Sequence, residues 1–280
     1  MPARKRTTGF TLIELSIVLV IIGLVIGGVM VGREMIYASK LRSTISNIEK
    51  IKSAVYAFRN KYGGLPGDLP DAYQYWGSAC GPNGTNGTNA IIVTAGTGIV
   101  NANACNGNNN GFVEFYSDQF GEDVKFWQHL SLAGLIDGKY SGYRFAGGST
   151  GLNTPGSVIP AGMDSTAYSI RYAGVQQAYV SAGITSNIYK RSGNFISWGA
   201  YDASSTNDTG IGFMTARQAY AFDSKFDDGE PTTGNIVATM GVYNGVAQAG
   251  CVSNWIASVS SSYVLTDTNA YCQFYFPLGL

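Results

Sequence analysis

The stretch RTTGFTLIELSIVLVIIGLVIGG, Arg6 to Gly28, constrains this chain more than any other. The apolar run extends from Phe10 to Val31, and about 20 such residues cross a bilayer as a helix. One residue breaks it. Glu14 lies near its start, where a carboxylate in hydrocarbon costs on the order of 3 kcal/mol even on lenient insertion scales. Arg4, Lys5 and Arg6 precede the run with no acid among them, a pattern that holds this end in the cytoplasm and sends the rest outward. A secretory signal has a shorter apolar core followed by a small-residue cleavage site. Here the small residue, Gly9, comes before the run, so the span is expected to be retained.

Helical rhythm continues from Gly32 to Tyr62 without a proline. Leu41, Ile45, Ile48, Ile51, Val55, Phe58 and Tyr62 recur every three or four residues and form a stripe. Arg42, Glu49, Lys50, Lys52 and Arg59 occupy the opposite face. A single helix from Phe10 to Tyr62 would be about 80 Å long. Its first half is suited to lipid or a bundle of like helices, where Gly23, Gly27, Gly28 and Gly32 let backbones approach. Its second half is expected to hold a globular head. A coiled coil is the competing reading, but the stripe covers only about three heptads.

The segment KRTTGFTLIELSIVLVIIG resembles the signature of type IV prepilins and of the pseudopilins of type II secretion. The resemblance implies cleavage by a prepilin peptidase between Gly9 and Phe10, methylation of the new amino terminus at Phe10, and a role in assembly for Glu14. In a filament the carboxylate would lie beside a neighbour's cationic amino terminus, which offsets its desolvation. The competing account is that Glu14 snorkels to the headgroups. The resemblance further implies other pilin or pseudopilin subunits, an inner-membrane assembly platform and the membrane as partners. KYGGLPGDLPDA, WQHLSLAGLI and DSKFDDGEPTTGNI resemble stretches of pseudopilin-like heads.

Charge is distributed unevenly. Arg33 to Lys61 holds seven Lys/Arg and two Glu, whereas Tyr62 onward holds eight Lys/Arg and fifteen Asp/Glu. An acidic distal part argues against nucleic acid as a partner. The four cysteines, Cys80, Cys105, Cys251 and Cys272, all follow the apolar run, with no CxxC pair to suggest a metal site. Disulfides in an oxidising compartment are expected. Three connectivities are open; Cys80–Cys105 with Cys251–Cys272 closes the shortest loops and is preferred.

Gly63, Gly64 and Pro66 end the long helix, and a loop is expected to Gly77. Gly77 to Gly111 reads as a surface excursion with a short hairpin at AIIVTA. Further helices are expected over Glu122 to Gly138, with Gly134 or Gly138 as the stop, and over Gly212 to Pro231. Strands are expected at SGYRFAG, TAYSIRYAGV, NFISWGAY, GNIVATMGVY and YCQFYF, and a further one at SSYVLT. The expected fold is α+β and type IV pilin-like: a long N-terminal helix packed on an antiparallel sheet with disulfide-tied loops. Its divisions are a leader over 1–9, a membrane or filament-core helix over 10–31, an amphipathic continuation over 32–62 and a head over 63–280.

No catalytic motif is found: neither G-x-S-x-G, nor a P-loop, nor histidine-rich metal spacing, so an enzyme is not expected. The single histidine, His129, has no nucleophile or carboxylate at a telling distance and reads as structural. No cofactor is expected beyond Ca²⁺ at two candidate places. Asn106, Asn108 and Asn110 alternate before Gly111 as in a calcium loop, though with neutral ligands and with Ser117 where a closing glutamate belongs. Asp223, Asp227 and Asp228 form the other set, with Lys225 among them, and turn chemistry accounts for both. A head rich in Tyr73, Tyr75, Trp76, Trp198 and Trp255 also admits a filament-mounted module that binds a glycan or surface, although core packing accounts for most aromatics.

Overall fold

The computed structural model describes residues 11–80, 92–94, 98–100, 105–114, 121–142, 159–173, 193–202, 208–243, 246–253 and 261–280. The chain divides into two compact units, Met1–Ser46 and Asn47–Leu280. Helix α1, Leu12–Tyr62, starts in the first and ends in the second.

From Leu12 to Gly32 α1 is almost wholly apolar and its apolar side chains are uncovered. Leu12, Leu24, Val20 and Met35 are each more than two-thirds exposed, and no part of its most apolar 18-residue window is buried. A helix satisfies its own backbone hydrogen bonds, which is why a chain that meets hydrocarbon takes this form.

In the second unit the remaining turns of α1 bury Ile48, Ile51, Ala54, Val55 and Phe58, as the stripe requires. The Tyr56 hydroxyl donates to the Leu278 carbonyl at 2.9 Å, tying the helix to the chain's last residues. The helix stops at Gly63, whose φ of +78° suits glycine, and whose N–H donates to the Arg59 carbonyl. Next comes a short helix, α2 (Ala72–Trp76), and a 3₁₀ turn at Gly77–Ala79, where only loop was expected. Pro66 and Pro70 precede α2, and its five residues are too few to show a period. The hairpin within AIIVTA and beyond is formed by β1 (Ile92–Thr94) and β2 (Gly98–Val100).

Helix α3 spans Glu122–Leu132, and of the two glycines expected to end it Gly134, φ +70°, is the one that does. Every residue from Glu122 to Leu130 is buried, so α3 has no solvent face along most of its length.

The head sheet is antiparallel. Its order is β3 (Thr166–Ala173), β4 (Gly193–Asp202), β9 (Cys272–Pro277) and β6 (Val237–Met240), with β5 (Asp208–Ile211) also pairing with β4. The last strand in sequence therefore lies between β4 and β6. Its register sets Trp198 opposite Phe274 and Ile196 opposite Phe276. Helix α4 (Ala216–Phe226) brings Phe222 to within 5.5 Å of the Trp198 ring and 5.1 Å of the Phe274 ring. Phe195, Val237 and Tyr275 cluster on the other face.

Helix α4 is shorter than expected because Gly212 to Met214 belong to the sheet's margin. Phe213 and Met214 donate to the Cys272 carbonyl, and a Cβ on Gly212 would lie 2.2 Å from the Tyr271 carbonyl carbon. Thr215 then caps α4 in a reciprocal box with Gln218. β7 (Val242–Tyr243) and β8 (Val246–Ala247) form a two-stranded ladder. SSYVLT is not a strand; only Tyr263 pairs there, in an isolated bridge with Val252. In SGYRFAG, Ser141 and Gly142 are not strand, and the rest lies outside the described residues. The architecture is α+β, with a long N-terminal helix packed on an antiparallel sheet and two disulfides, Cys80–Cys105 and Cys251–Cys272.

Candidate functional site: the helix start and its apolar surface

Helix α1 begins with a capping box. The Thr11 N–H donates to Glu14 Oε2 at 2.8 Å and the Thr11 hydroxyl donates to the same oxygen at 2.9 Å. In return, Glu14 N–H donates to Thr11 Oγ1 at 3.3 Å. The sequence suggests an assembly charge or a snorkelling carboxylate for Glu14, and capping is a further use. The Thr-x-x-Glu signature that names this further use is plainly there in TLIE. Within one chain, then, Glu14 accepts the Thr11 N–H and hydroxyl at its own helix terminus, and its carboxylate stays exposed. Gly23, Gly27, Gly28 and Gly32 have nothing within 4 Å of where a Cβ would stand, so this surface offers shallow places along an otherwise bulky face. The expected cleavage and methylation positions, Gly9 and Phe10, lie outside the described residues.

Residues 4–30 match the family model for the prokaryotic N-terminal methylation motif. This match covers the N-terminal segment alone and is consistent with the type IV pilin and pseudopilin family. No curated protein and no solved structure matches the chain. A pilin-type terminus implies a structural subunit that packs with others of its kind.

The other candidate residues sit in the head. His129 is fully buried and structural in its contacts: Nδ1 accepts the Gly67 N–H at 2.9 Å, and Nε2–H donates to the Cys105 carbonyl at 2.9 Å. That pattern fixes the tautomer, and burial pushes the imidazole down to about 3. Cys80 and Cys105 approach the same histidine but are bonded to each other, so they are not free to ligate a metal.

The side chains of Asn106, Asn108 and Asn110 are engaged in hydrogen bonds of the loop. Asn106 Oδ1 accepts the Tyr73 N–H, while the Asn108 and Asn110 amides both donate to Glu114. The loop is instead organised by two buried carboxylates that the sequence reading missed. Asp68 accepts the N–H groups of Asn110 and Gly111, and Glu122 accepts those of Asn108 and Glu114. Burial pushes both carboxyls up, Glu122 to about 8. Asp68 and Glu122 are far apart in sequence, and no local pattern joins them.

Asp223, Asp227 and Asp228 come together: one carboxylate oxygen of each lies within 4.8 Å of the other two. Burial, reinforced by the neighbouring Asp228 and Asp227, pushes Asp223 up to about 7 against the lowering effect of the Tyr263 hydroxyl. Of the aromatic residues suggested for surface recognition, Trp198 is core: it is fully buried and its Nε1–H donates to Thr166. Tyr75 is half exposed beside Trp76 and Tyr62, and Trp255 lies outside the described residues.

Proposed function

We propose that this chain is the precursor of a structural subunit of a type IV pilus-like filament or of a secretion pseudopilus, a minor pilin or pseudopilin. It enters the bacterial inner membrane once, with its basic end in the cytoplasm and its head in the periplasm. A prepilin peptidase cuts between Gly9 and Phe10 and methylates Phe10, and the inner-membrane assembly platform then draws the subunit into the filament. The observation that carries this reading is the apolar half of α1, joined to the methylation motif and uncovered by any part of its own unit. Such a surface is stable only in lipid or against other helices. Two disulfides, both beyond the span, support an oxidising compartment for the head.

Intact mass of the protein from a host that carries a prepilin peptidase tests it. The expected species lacks Met1 to Gly9 and carries one added methyl group on Phe10. A full-length terminus, or a cut beyond the span, overturns it.

A further inference from the structure

We propose that the turns of α1 just beyond its apolar span form a binding face for anionic phospholipid headgroups, carried by Arg33, Tyr37 and Lys40 with Arg42 at its margin. The inference rests on the single-span reading above and adds to it a lipid class and the face that meets it. Depth comes first. The apolar run ends at Val31 and Gly32, and Arg33 follows at once. Headgroups occupy about 5–8 Å on each side of the hydrocarbon. Along a helix Arg33 stands about 3 Å above Val31, Tyr37 about 9 Å and Lys40 about 14 Å. Arg33 therefore lies within the headgroup layer and Tyr37 at its outer edge, and the long stem of Lys40 brings its ammonium back toward it. Helix α1 is continuous here, so no turn carries these residues away from the surface.

Periodicity supplies the second observation. Tyr37 follows Arg33 by four residues and Lys40 follows Tyr37 by three, the spacing that sets side chains on one face of a helix. Arg33 and Lys40 are exposed and Tyr37 is half-buried. Met35 and Ile36, 69% and 60% exposed, keep the surrounding surface apolar. Cations, a tyrosine and uncovered apolar side chains are the combination that the interface of a bilayer accommodates. Within residues 33–42 the one acid is Glu34, about 100° round the helix from Arg33, so the face keeps its positive charge. Among the described residues neither Arg33 nor Arg42 forms an ion pair.

Chemistry selects the lipid. A guanidinium presents a fork of donors that matches phosphate oxygens two at a time, and an ammonium adds a point charge. A zwitterionic headgroup carries a phosphate too, but it also carries a cation that repels Arg33 and Lys40. A headgroup of net negative charge, such as phosphatidylglycerol, has no such cation and attracts both residues. The face starts at the first residues past the span, so it stands at headgroup depth before any subunit packs against another. Lipid is therefore its occupant, rather than the acidic head of a second copy. The consequence is positional. Arg33 lies about 28 Å along the helix from Glu14, close to the ~30 Å thickness of the hydrocarbon. Anchoring Arg33 in the outward headgroups thus holds Glu14 at the opposite boundary, where its carboxylate reaches water.

The test uses the full chain reconstituted in phosphatidylcholine vesicles that hold a trace of spin-labelled phosphatidylglycerol or, separately, of spin-labelled phosphatidylcholine. Electron spin resonance reads the fraction of each label that the protein immobilises. At low ionic strength the parent is expected to favour phosphatidylglycerol about two- to threefold, and about 0.5 M NaCl to reduce that preference. The double variant Arg33→Gln with Lys40→Gln, both at exposed positions, is expected to lose about half of the preference or more, the remainder belonging to the basic leader. Glu34→Gln is expected to raise it. Equal immobilisation of the two lipids by the parent overturns the proposal. So does a preference undiminished in the double variant, including the case in which that variant loses association between copies instead. Flotation keeps this test apart from the span itself: a chain that does not float with the vesicles refutes the span, whereas a floating chain without lipid preference refutes only this face.

Discussion

Two stretches of one helix use the same residue types and meet opposite fates. Between Leu12 and Ile36 the leucines, isoleucines and valines of α1 are about half exposed or more. Between Ile48 and Phe58 the apolar side chains of the stripe are almost wholly buried. The difference lies in pattern rather than composition. The distal stretch alternates its apolar face with Glu49, Lys50, Lys52 and Arg59, which tells the helix which side to cover. From Leu15 to Gly32 the proximal stretch has no polar side, so one docking face cannot cover it, and an apolar surface all round suits lipid or other helices. A continuous apolar helix specifies an environment; an amphipathic one specifies a docking face.

The sharpest way to break that comparison is to cut equivalent volumes from each stretch. Phe58 is fully buried and lies against the rings of Tyr62, Trp76 and His129. Phe58→Ala is expected to destabilise the head by about 3–5 kcal/mol. Ile22→Ala, in the exposed stretch, should leave head unfolding within about 0.5 kcal/mol of the parent. Both are read by chemical unfolding of the full chain in detergent. Comparable losses would show that the proximal stretch is part of the head's core and that the two fates are not distinct.

The disulfides extend the contrast into the head. Cys272 opens β9, which lies between β4 and β6, and its bond to Cys251 pins the long segment before it. Cys80–Cys105 ties the excursion between α2 and α3. Cys251→Ser is expected to destabilise by about 2–4 kcal/mol and Cys80→Ser by less. Equal losses would place the first loop's closure within the cooperative core; non-reducing peptide mapping checks the pairing.

Much of this was legible in the sequence, and the rest was hidden for physical reasons. The proximal span is marked by its unbroken apolar length, the stripe from Leu41 to Tyr62 by its helical period, and YCQFYF by its aromatic, strand-favouring residues. Helix α2 and strands β5, β7 and β8 are two to five residues long and give no period to read. The Asp223 cluster is local and was visible as DSKFDDGE. The carboxylate pair Asp68 and Glu122 was not, because only the folded loop between α2 and α3 brings it together. Thr11 and Glu14 were visible but admitted two uses, a cap and an assembly charge.

A smaller effect comes from titration, in EDTA. Glu122 is raised from 4.5 to about 8 by burial and by Asp68, against backbone donors and Lys125. Its folded state therefore holds the proton more firmly, and its contribution, complete below pH 4.5, is lost as pH climbs through 8. Asp223, raised from 3.8 to about 7, acts in the same direction. His129 acts oppositely: lowered from 6.5 to about 3, its contribution is complete above pH 6.5 and is lost as pH falls toward 3. Above pH ~4.5 the two acids together outweigh the imidazole, so head stability is expected to fall as pH climbs toward ~8.5. Thermal unfolding across this range should show the decline, and Glu122→Gln should flatten it. A parent profile that rises toward pH ~8.5 would contradict the burial of these acids.

The smallest effect on the head, and the most telling for function, belongs to Glu14. It lies far in sequence from any head core residue, so Glu14→Ala should leave head unfolding unchanged. Within α1 it removes a cap worth about 1 kcal/mol. Capping and charge separate cleanly, because glutamine serves the third position of a capping box as well as glutamate does. Glu14→Gln therefore keeps an acceptor for the Thr11 N–H and hydroxyl but removes the negative charge. If the carboxylate meets a neighbour's cationic amino terminus, Glu14→Gln and Glu14→Ala should be equally deficient in filament incorporation, while both insert in the membrane as well as the parent. If the cap alone matters, Glu14→Gln should incorporate normally and only Glu14→Ala should fail. Co-expression of tagged variants with the parent, followed by mass spectrometry of sheared filaments, distinguishes the two. We expect both variants to be excluded, because a cap at an exposed helix start is easily replaced by water, whereas a charge partner in a low-dielectric bundle is not.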